Sequence, residues 1–169
     1  MSSQARVRSD ALLRRWCPRV TGDVLSIGSA ADRDGAGQVY RAYFSGARSY
    51  TTSEVSPRPG CDLVLDMRAM PTVPDAAYDA LFCSGVLEHV DDCHAAVAEC
   101  HRILRPGGVF LVGVPFAQRL HCVPTDFWRF TRFGLAYLLR AFTIEALEAI
   151  GDDPKFPWTY WAWARKEAA

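Results

Sequence analysis

The chain has 169 residues, half of which are hydrophobic, and its 19 basic residues balance its 19 acidic ones. This length favours a single domain, residues 1–169, with enough apolar side chains for a sizeable core. The zero net charge argues against a general nucleic-acid-binding protein, which would need a basic surface, and no apolar run approaches the roughly 20 residues that span a bilayer.

The N-terminal segment 1–20 is predicted to form an amphipathic helix, with Leu12, Leu13 and Trp16 on one side and arginines on the other. It has no apolar region of the kind that secretory signals contain. The six cysteines include no Cys-x-x-Cys pair. We therefore expect a cytoplasmic protein with reduced cysteines, and assembly as a homodimer is left open.

Strands and helical segments alternate along the chain. In order, the sequence predicts strand 23–28, helix 35–44, strand 49–55, strand 61–67, strand 78–83, helix 93–104, strand 109–114, helix 131–141, strand 142–150 and strand 159–165. This alternation predicts an α/β fold built on a parallel sheet. Only about seven residues separate the last two strands, too few for a parallel crossover, so these strands should pair antiparallel.

Two acidic residues stand where predicted strands end, and ligands of open parallel sheets bind beyond those ends. Glu54 could accept hydrogen bonds from both hydroxyls of a ribose. Asp66 could accept one from the exocyclic amine of an adenine, with Met67 covering the ring. The alternatives are a solvated loop glutamate for Glu54 and a turn or helix cap for Asp66.

Histidines and a further acid occupy two loops over the same strand ends. His89, in the segment SGVLEHV, is a candidate general base because imidazoles titrate near neutral pH, although a structural histidine would also fit. The aromatic segment 121–132 could line a substrate pocket, and its Asp126 and Arg129 could simply pair with each other.

A metal site is not predicted. Two Cys-His pairs, at positions 93–94 and 100–101, repeat at a spacing of seven on one predicted helix. Adjacent residues on a helix diverge, and known zinc patterns use intervals of two to four residues.

Several motifs together carry a family resemblance. They are YDALFCSGVLEHVDD, AVAECHRILRPGGVFLVGVP, SEVSP, LVLDMRAMP and DFWRFT. Through them the chain resembles the class I S-adenosylmethionine-dependent methyltransferases, specifically the type-11 methyltransferase domain. The resemblance implies a Rossmann-like, doubly wound sheet of seven strands, mostly parallel with an antiparallel last strand, and helices on both faces.

The resemblance also implies a function and a set of site residues. The expected activity is methyl transfer from S-adenosylmethionine to a small-molecule or cell-envelope acceptor, with no nucleic acid and no membrane span involved. Segment 116–132 would be a substrate-side loop. The implied cofactor-binding residues are Ser26, Gly28, Ser29, Glu54, Val55, Asp66, Met67, Ser84, Gly85 and Leu87. Where the acceptor needs a base, His89, His121 or Asp126 could serve.

The first loop departs from the family pattern. The family has sequences such as VLDIGCGTG, whereas this chain has VLSIGSAADRDGAG, so Ser26 replaces the acid that usually orients the methionyl amine. Asp32 and Asp34 are added, and either could repel the methionine carboxylate or replace the lost acid. Two alternatives follow: a catalytically silent binding or scaffold subunit, with the tail PWTYWAWAR as an interface, or a cofactor-binding enzyme with non-methylating chemistry such as cyclisation.

Overall fold

The computed structural model describes residues 3–168. Its helices and strands are α1 (Ser3–Trp16), β1 (Gly22–Ile27), β2 (Ala47–Glu54), β3 (Leu63–Val64), β4 (Tyr78–Ser84), α2 (Cys93–Ile103), β5 (Leu104–Pro115), α3 (Arg132–Leu138), β6 (Thr143–Ile150) and β7 (Thr159–Arg165). Short 3-10 helices cover Cys17–Arg19, Tyr40–Tyr43 and Leu87–His89. Within this part of the chain, no helix combines the length and the hydrophobicity needed to cross a membrane.

The seven strands form one sheet in the order β3-β2-β1-β4-β5-β7-β6. The pairs from β3 through β5 are parallel, and β7 runs antiparallel to both β5 and β6. The predicted mostly parallel, seven-stranded sheet with a reversed last strand is therefore confirmed. The strand order changes direction between β1 and β4, which is the switch point where such sheets bind ligands.

Helices cover both faces of this sheet, as predicted. On one face, α2 and α3 bury the apolar side chains Ala96, Val97, Cys100, Ile103 and Leu135. On the other face, α1 buries Leu12, Leu13 and Trp16 against the strands. The amphipathic patterns of α1 and α2 therefore place each helix with its apolar side toward the sheet.

Side-chain caps fix where α2 and α3 begin. The Asp92 carboxylate accepts a hydrogen bond from the Ala95 N–H at 2.9 Å, and the Thr131 hydroxyl accepts one from the Gly134 N–H at 3.0 Å. Each cap satisfies a backbone donor that has no partner within the helix.

The predicted helix 35–44 was wrong, since only Tyr40–Tyr43 form a single 3-10 turn. The Asp34 carboxylate accepts the backbone N–H groups of Ala36 and Gln38, both at 2.8 Å. Such local hydrogen bonds compete with those of a helix, and the two flanking glycines, Gly35 and Gly37, weaken helix formation further.

The proposal of an exposed aromatic tail was also wrong. Tyr160, Trp161 and Trp163 are buried because β7 lies inside the sheet, between β5 and β6. Their rings contribute to the core on both faces and are not available as an interface.

Candidate functional site

A cavity of about 340 Å³ opens at the carboxyl ends of β1, β4 and β5. The loop after β1, the loop after β4, the start of the 116–132 loop and helix α1 all contribute to its wall. The predicted site residues that line it are Ser26, Gly28, Ser29, Ser84, Gly85 and His121. The sheet therefore brings its first-loop and fourth-strand candidates together at the switch point.

The first loop turns a carboxylate into this cavity. Asp32 lines the cavity and accepts a hydrogen bond from the Tyr50 hydroxyl at 2.8 Å and another from the Ser26 side chain. Burial raises the pKa of Asp32, and these hydrogen bonds oppose the rise only in part. Asp32 thus places an acid directly beside Ser26, the position at which the family pattern has an acid and this chain has none.

The second added acid, Asp34, has a different environment. Its buried carboxylate accepts hydrogen bonds from the Tyr43 hydroxyl and from the two backbone N–H groups of its own turn, and Arg14 pairs with it at 3.1 Å. Burial alone would raise the pKa of Asp34, but these donors leave it lowered. Asp34 therefore holds the loop in shape and does not line the cavity.

Glu54 ends β2 and contacts the first loop. Its Oε1 atom accepts a hydrogen bond from the Ala30 N–H. No described residue donates a hydrogen bond to its Oε2 atom, and the nearest cation, Arg58, lies 4.0 Å from Oε1. The following residue, Val55, is 65% exposed. Neither Glu54 nor Val55 lines the cavity.

Asp66 lies at the same sheet edge, since β2 and β3 are parallel neighbours and the Leu65 N–H donates to the Glu54 carbonyl at 2.8 Å. Its carboxylate is already engaged by Arg68, which donates through its backbone, Nε and a terminal nitrogen and also pairs with Asp91 at 2.8 Å. These hydrogen bonds from Arg68 lower the pKa of Asp66.

The two apolar candidates beside these residues point into the core. Met67 and Leu87 are 4% and 0% exposed, and both belong to the cluster beneath α2. Their side chains therefore support the loops from below and do not line the cavity.

Glu88 carries an unusual environment in the loop after β4. Its side chain is only 4% exposed, yet it lines the cavity, and its Oε2 atom has no hydrogen-bond partner among the described residues. Burial raises the pKa of Glu88, and a hydrogen bond from its own backbone together with the positive charge of Arg129 only partly opposes this.

Two histidines face this carboxylate. The Nε2 atoms of His89 and His121 lie 4.0 Å and 3.9 Å from Glu88 Oε1, and the two rings meet edge to face with centroids 4.8 Å apart. His89 does not line the cavity itself. The 116–132 loop is held over this cluster because the Phe127 N–H donates to the Glu88 carbonyl at 2.8 Å.

Asp126 is fully enclosed next to His121. Both of its carboxylate oxygens accept hydrogen bonds from Arg129 at 2.7 Å, and the His121 backbone N–H donates to it at 2.8 Å. The Arg129 guanidinium holds the pKa of Asp126 well below its usual range. Asp126 is therefore suited to orienting His121 and poorly suited to accepting a proton.

The Cys-His repeat on α2 does not converge on a site. Cys93 and Cys100 are buried against the core, and His94 points outward. Burial raises the pKa of both thiols. Among residues 3–168, one cluster contains at least three side chains that can bind a metal. It consists of Glu88, His89 and His121, whose ligand atoms lie within 4.8 Å of one another.

Sequence reasoning missed part of the cavity wall. Arg6, Ser9 and Asp10 from α1 line it, as do Gln118 and Trp158. Packing of α1 brings these residues to the cavity, for example through the Trp161 indole N–H, which donates to the Ser9 hydroxyl at 3.0 Å. The residues involved are 152 positions apart, so no local motif signals the contact.

Comparison with known proteins identifies relatives of the chain. A family model described as "Methyltransferase domain" matches residues 26–112, slightly more than half of the chain. A probable S-adenosylmethionine-dependent methyltransferase of Mycolicibacterium smegmatis is 51% identical over 43 residues, which are 25% of this chain and 17% of that protein. The chain is thus matched to less than a fifth of that relative's length.

Solved structures share the fold over almost the whole chain. The 1,6-didemethyltoxoflavin-N1-methyltransferase of Burkholderia thailandensis, solved with 1,6-didemethyltoxoflavin and S-adenosylhomocysteine bound, has a TM-score of 0.72 at 25% identity, covering 98% of this chain and 80% of that one. The N-methyltransferase NodS of Bradyrhizobium japonicum has a TM-score of 0.72 at 15% identity, covering 96% and 87%. The second likeness shows the shared fold alone.

Proposed function

Because the chain belongs to the methyltransferase-domain family of S-adenosylmethionine-dependent enzymes, we propose that it transfers a methyl group from S-adenosylmethionine to an acceptor bound in the cavity at the β1–β4 switch point. The acceptor we propose is a small molecule or a cell-envelope component. Segment 116–132 would form the substrate-side boundary of the cavity.

One observation carries this proposal. Three carboxyl groups, of Asp10, Asp32 and Glu88, line the same cavity, and burial raises the pKa of each. Partly desolvated carboxylates gain most from a ligand that brings positive charge. S-adenosylmethionine, when bound, supplies an electrophilic methyl group on a positively charged sulfur, next to a charged amine.

The residues present fit the methionine end of that cofactor. Asp32 lines the cavity beside Ser26 and would accept hydrogen bonds from the amine, in the role that an acid at position 26 has in the family pattern. Arg6 and Arg33 also line the cavity and offer positive charge to a carboxylate. Glu54 could take ribose hydroxyls on Oε2 while Oε1 stays on the Ala30 N–H.

The adenine end fits less directly, because Arg68 already occupies the Asp66 carboxylate. An exocyclic amine would share Asp66 with Arg68 or displace it. We propose that Arg68 then remains paired with Asp91, whose carboxylate lies 2.8 Å from it.

The Glu88 cluster would handle the acceptor. The His121 Nδ1 lies 3.1 Å from the Arg119 carbonyl, which can only accept, so in the neutral imidazole Nδ1 carries the hydrogen and Nε2 carries the lone pair. Nε2 of His121 could then take the proton of a hydroxyl acceptor. The His89 ring would pack edge to face against the His121 ring, and Asp126 would fix the orientation of His121.

The compartment and assembly remain part of this proposal. All six cysteines are unpaired, which favours a reducing compartment such as the cytoplasm. Homodimerisation is proposed through the exposed apolar side chains of α3, Phe133 and Tyr137, which are 78% and 64% exposed. Sedimentation equilibrium of the full chain would test the dimer.

The test of the function has two stages. Calorimetric titration with S-adenosylhomocysteine should give one site per chain, and the affinity should fall when the acid beside Ser26 is neutralised in Asp32→Asn. A labelled-methyl assay against panels of hydroxyl- and amine-bearing acceptors should then show transfer. No binding at millimolar ligand would contradict the proposal.

A second candidate function is favoured by the Asp66–Arg68–Asp91 arrangement. If Arg68 holds its two acids permanently, the adenine position stays closed and the chain would be a catalytically silent binding subunit. The same titration separates the two candidates, because a silent subunit would bind neither S-adenosylhomocysteine nor adenosine.

A further inference from the structure

The loop after β4 buries a carboxylate oxygen without satisfying it. Glu88 Oε2 has no hydrogen-bond partner among the described residues, and the Glu88 side chain is only 4% exposed. A buried carboxylate without partners is costly unless a cation or a proton compensates it. The position is therefore one where a ligand would be stabilising.

Both neighbouring histidines turn a lone pair toward this carboxylate. His89 Nδ1 lies 2.7 Å from the Thr125 carbonyl, and His121 Nδ1 lies 3.1 Å from the Arg119 carbonyl. Because carbonyl oxygens only accept, each Nδ1 donates its hydrogen. In the neutral imidazole each Nε2 is then unprotonated, and it lies near 4 Å from Glu88 Oε1, which is too far for a hydrogen bond.

We propose that Glu88, His89 and His121 bind a divalent transition-metal ion. Two imidazole nitrogens and one carboxylate are ligands that suit zinc, iron and related metals, and protein ligands of zinc lie about 2.0–2.2 Å from it. Ligand atoms around a tetrahedral ion at these distances are about 3.3–3.6 Å apart. The cluster, with its ligand atoms within 4.8 Å of one another, needs only a small contraction.

The groups behind the histidines match those of metal sites. Metal-bound histidines usually donate their other ring N–H to a backbone carbonyl or a carboxylate. His89 has Thr125 and His121 has Arg119 in this role, and Asp126 lies 3.3 Å from the same His121 nitrogen. The positive charge of the nearby Arg129 is balanced by its bidentate pairing with Asp126.

This inference rests on the proposed function for its chemical meaning, although metal binding itself does not. Glu88 and His121 line the cavity, so a three-ligand ion would present open coordination positions to it. With the ion bound, His121 Nε2 is a ligand and no longer a base, so an acceptor hydroxyl bound to the ion would ionise more readily and release its proton to water. The proposed site thus favours methyl acceptors that can bind the ion through an oxygen atom over methyl acceptors that have only apolar groups.

The test uses the full chain, freed of metal with a chelator and then titrated with Co²⁺. We expect one equivalent to bind and to give a visible absorption spectrum of protein-bound cobalt, with Zn²⁺ competing for the same site. Glu88→Gln, His89→Ala and His121→Ala should each weaken binding at least 10-fold. Two controls, His94→Ala and Cys122→Ser, remove an exposed histidine and an exposed thiol and should bind as the parent chain does.

Two results would overturn the site: no cobalt spectrum at millimolar Co²⁺, or a spectrum that persists in all three cluster variants. Thermal denaturation of each variant establishes whether it is folded. If a variant is unfolded, its binding measurement is replaced by one on the parent chain, whose melting temperature should rise when Zn²⁺ is added. Titration with S-adenosylhomocysteine in the presence of the chelator tests the proposed function separately, so either claim can fail alone.

Discussion

The Tyr50 hydroxyl donates a hydrogen bond to the Asp32 carboxylate at 2.8 Å, which joins the middle of β2 to the loop that follows β1. This contact places an acid beside Ser26 even though the strand itself has none. A carboxylate lost from a strand end can thus be supplied by a residue six positions later, provided that the loop turns back over the sheet. Asp32 has a positive φ of 49°, consistent with such a tight return.

Replacing Asp32 tests whether that acid binds the cofactor amine. Asp32→Asn keeps the size of the side chain and removes its charge, so we expect affinity for S-adenosylhomocysteine to fall about 10- to 100-fold, the value of a charge-assisted hydrogen bond. Calorimetric titration measures it. Asp34→Asn is the matched control: it should lower the melting temperature, since Asp34 is buried and paired, and leave the affinity of the folded protein almost unchanged. Equal affinities of Asp32→Asn and the parent chain would contradict the assignment.

Glu54 is expected to bind the ribose through its charge. Glu54→Gln retains an oxygen for the Ala30 N–H but weakens acceptance from the ribose hydroxyls, so affinity for adenosine should fall about 10-fold. Competition of adenosine with a fluorescent nucleoside analogue would measure this. Arg58→Ala, which removes a cation 4.0 Å from the same carboxylate, serves as the control and should change the affinity less than twofold. A larger effect in Arg58→Ala than in Glu54→Gln would reject the ribose assignment.

The Asp66–Arg68 pair gives a pH-dependent contribution to stability. Hydrogen bonds from Arg68 lower the pKa of Asp66 in the folded protein below its unfolded value of 3.8. The pair therefore stabilises the fold at pH values above about 4, and this contribution is lost as the pH falls through the lower, folded-state pKa. In Arg68→Ala the carboxyl should titrate closer to 3.8, and its contribution to acid stability should vanish.

Carboxyl resonances followed by NMR during an acid titration would check that prediction. Arg140→Ala, which changes an exposed arginine just after the C-terminal end of α3, should leave the titration of Asp66 unaltered. A titration midpoint that is the same in Arg68→Ala and in the parent chain would show that the pair does not set the pKa of Asp66.

Helix α1 should be required both for stability and for the cavity. Leu13 is 0% exposed, so Leu13→Ala should cost about 2–5 kcal/mol in the free energy of unfolding, measured by urea denaturation. Val7→Ala, at a position that is 66% exposed, should change it by no more than about 0.5 kcal/mol. A cost below about 1 kcal/mol for Leu13→Ala would mean that α1 does not pack on the sheet as described.

The strands and α2 could be predicted because their signals are local. The segment TYWAWAR predicted β7 with the bounds Thr159–Arg165, and the short connection before it predicted antiparallel pairing. The predicted strand 61–67 shortened to Leu63–Val64, partly because Asp62 uses its carboxylate to accept the Thr52 N–H and hydroxyl. Hydrogen bonds between a side chain of one segment and the backbone of another cannot be predicted from hydrophobic periodicity.

The site was predictable only where a motif spans it. The first-loop and fourth-strand motifs indicated Ser26, Gly28 and Ser84, which do line the cavity. The Glu88–His121 contact joins residues 33 positions apart, and nothing in either segment predicts that the 116–132 loop lies against Glu88. Asp66 had a suitable position in the sequence, but its engagement by Arg68 depends on side-chain conformation.

The most direct measurement is a crystal structure of the chain with S-adenosylhomocysteine. We predict the homocysteine amine within hydrogen-bond distance of Asp32, the ribose hydroxyls on Glu54, and the sulfur in the cavity on the side of Glu88 and His121. Electron density for the ligand away from the β1–β4 switch point, or an amine bound by groups other than Asp32, would contradict the account.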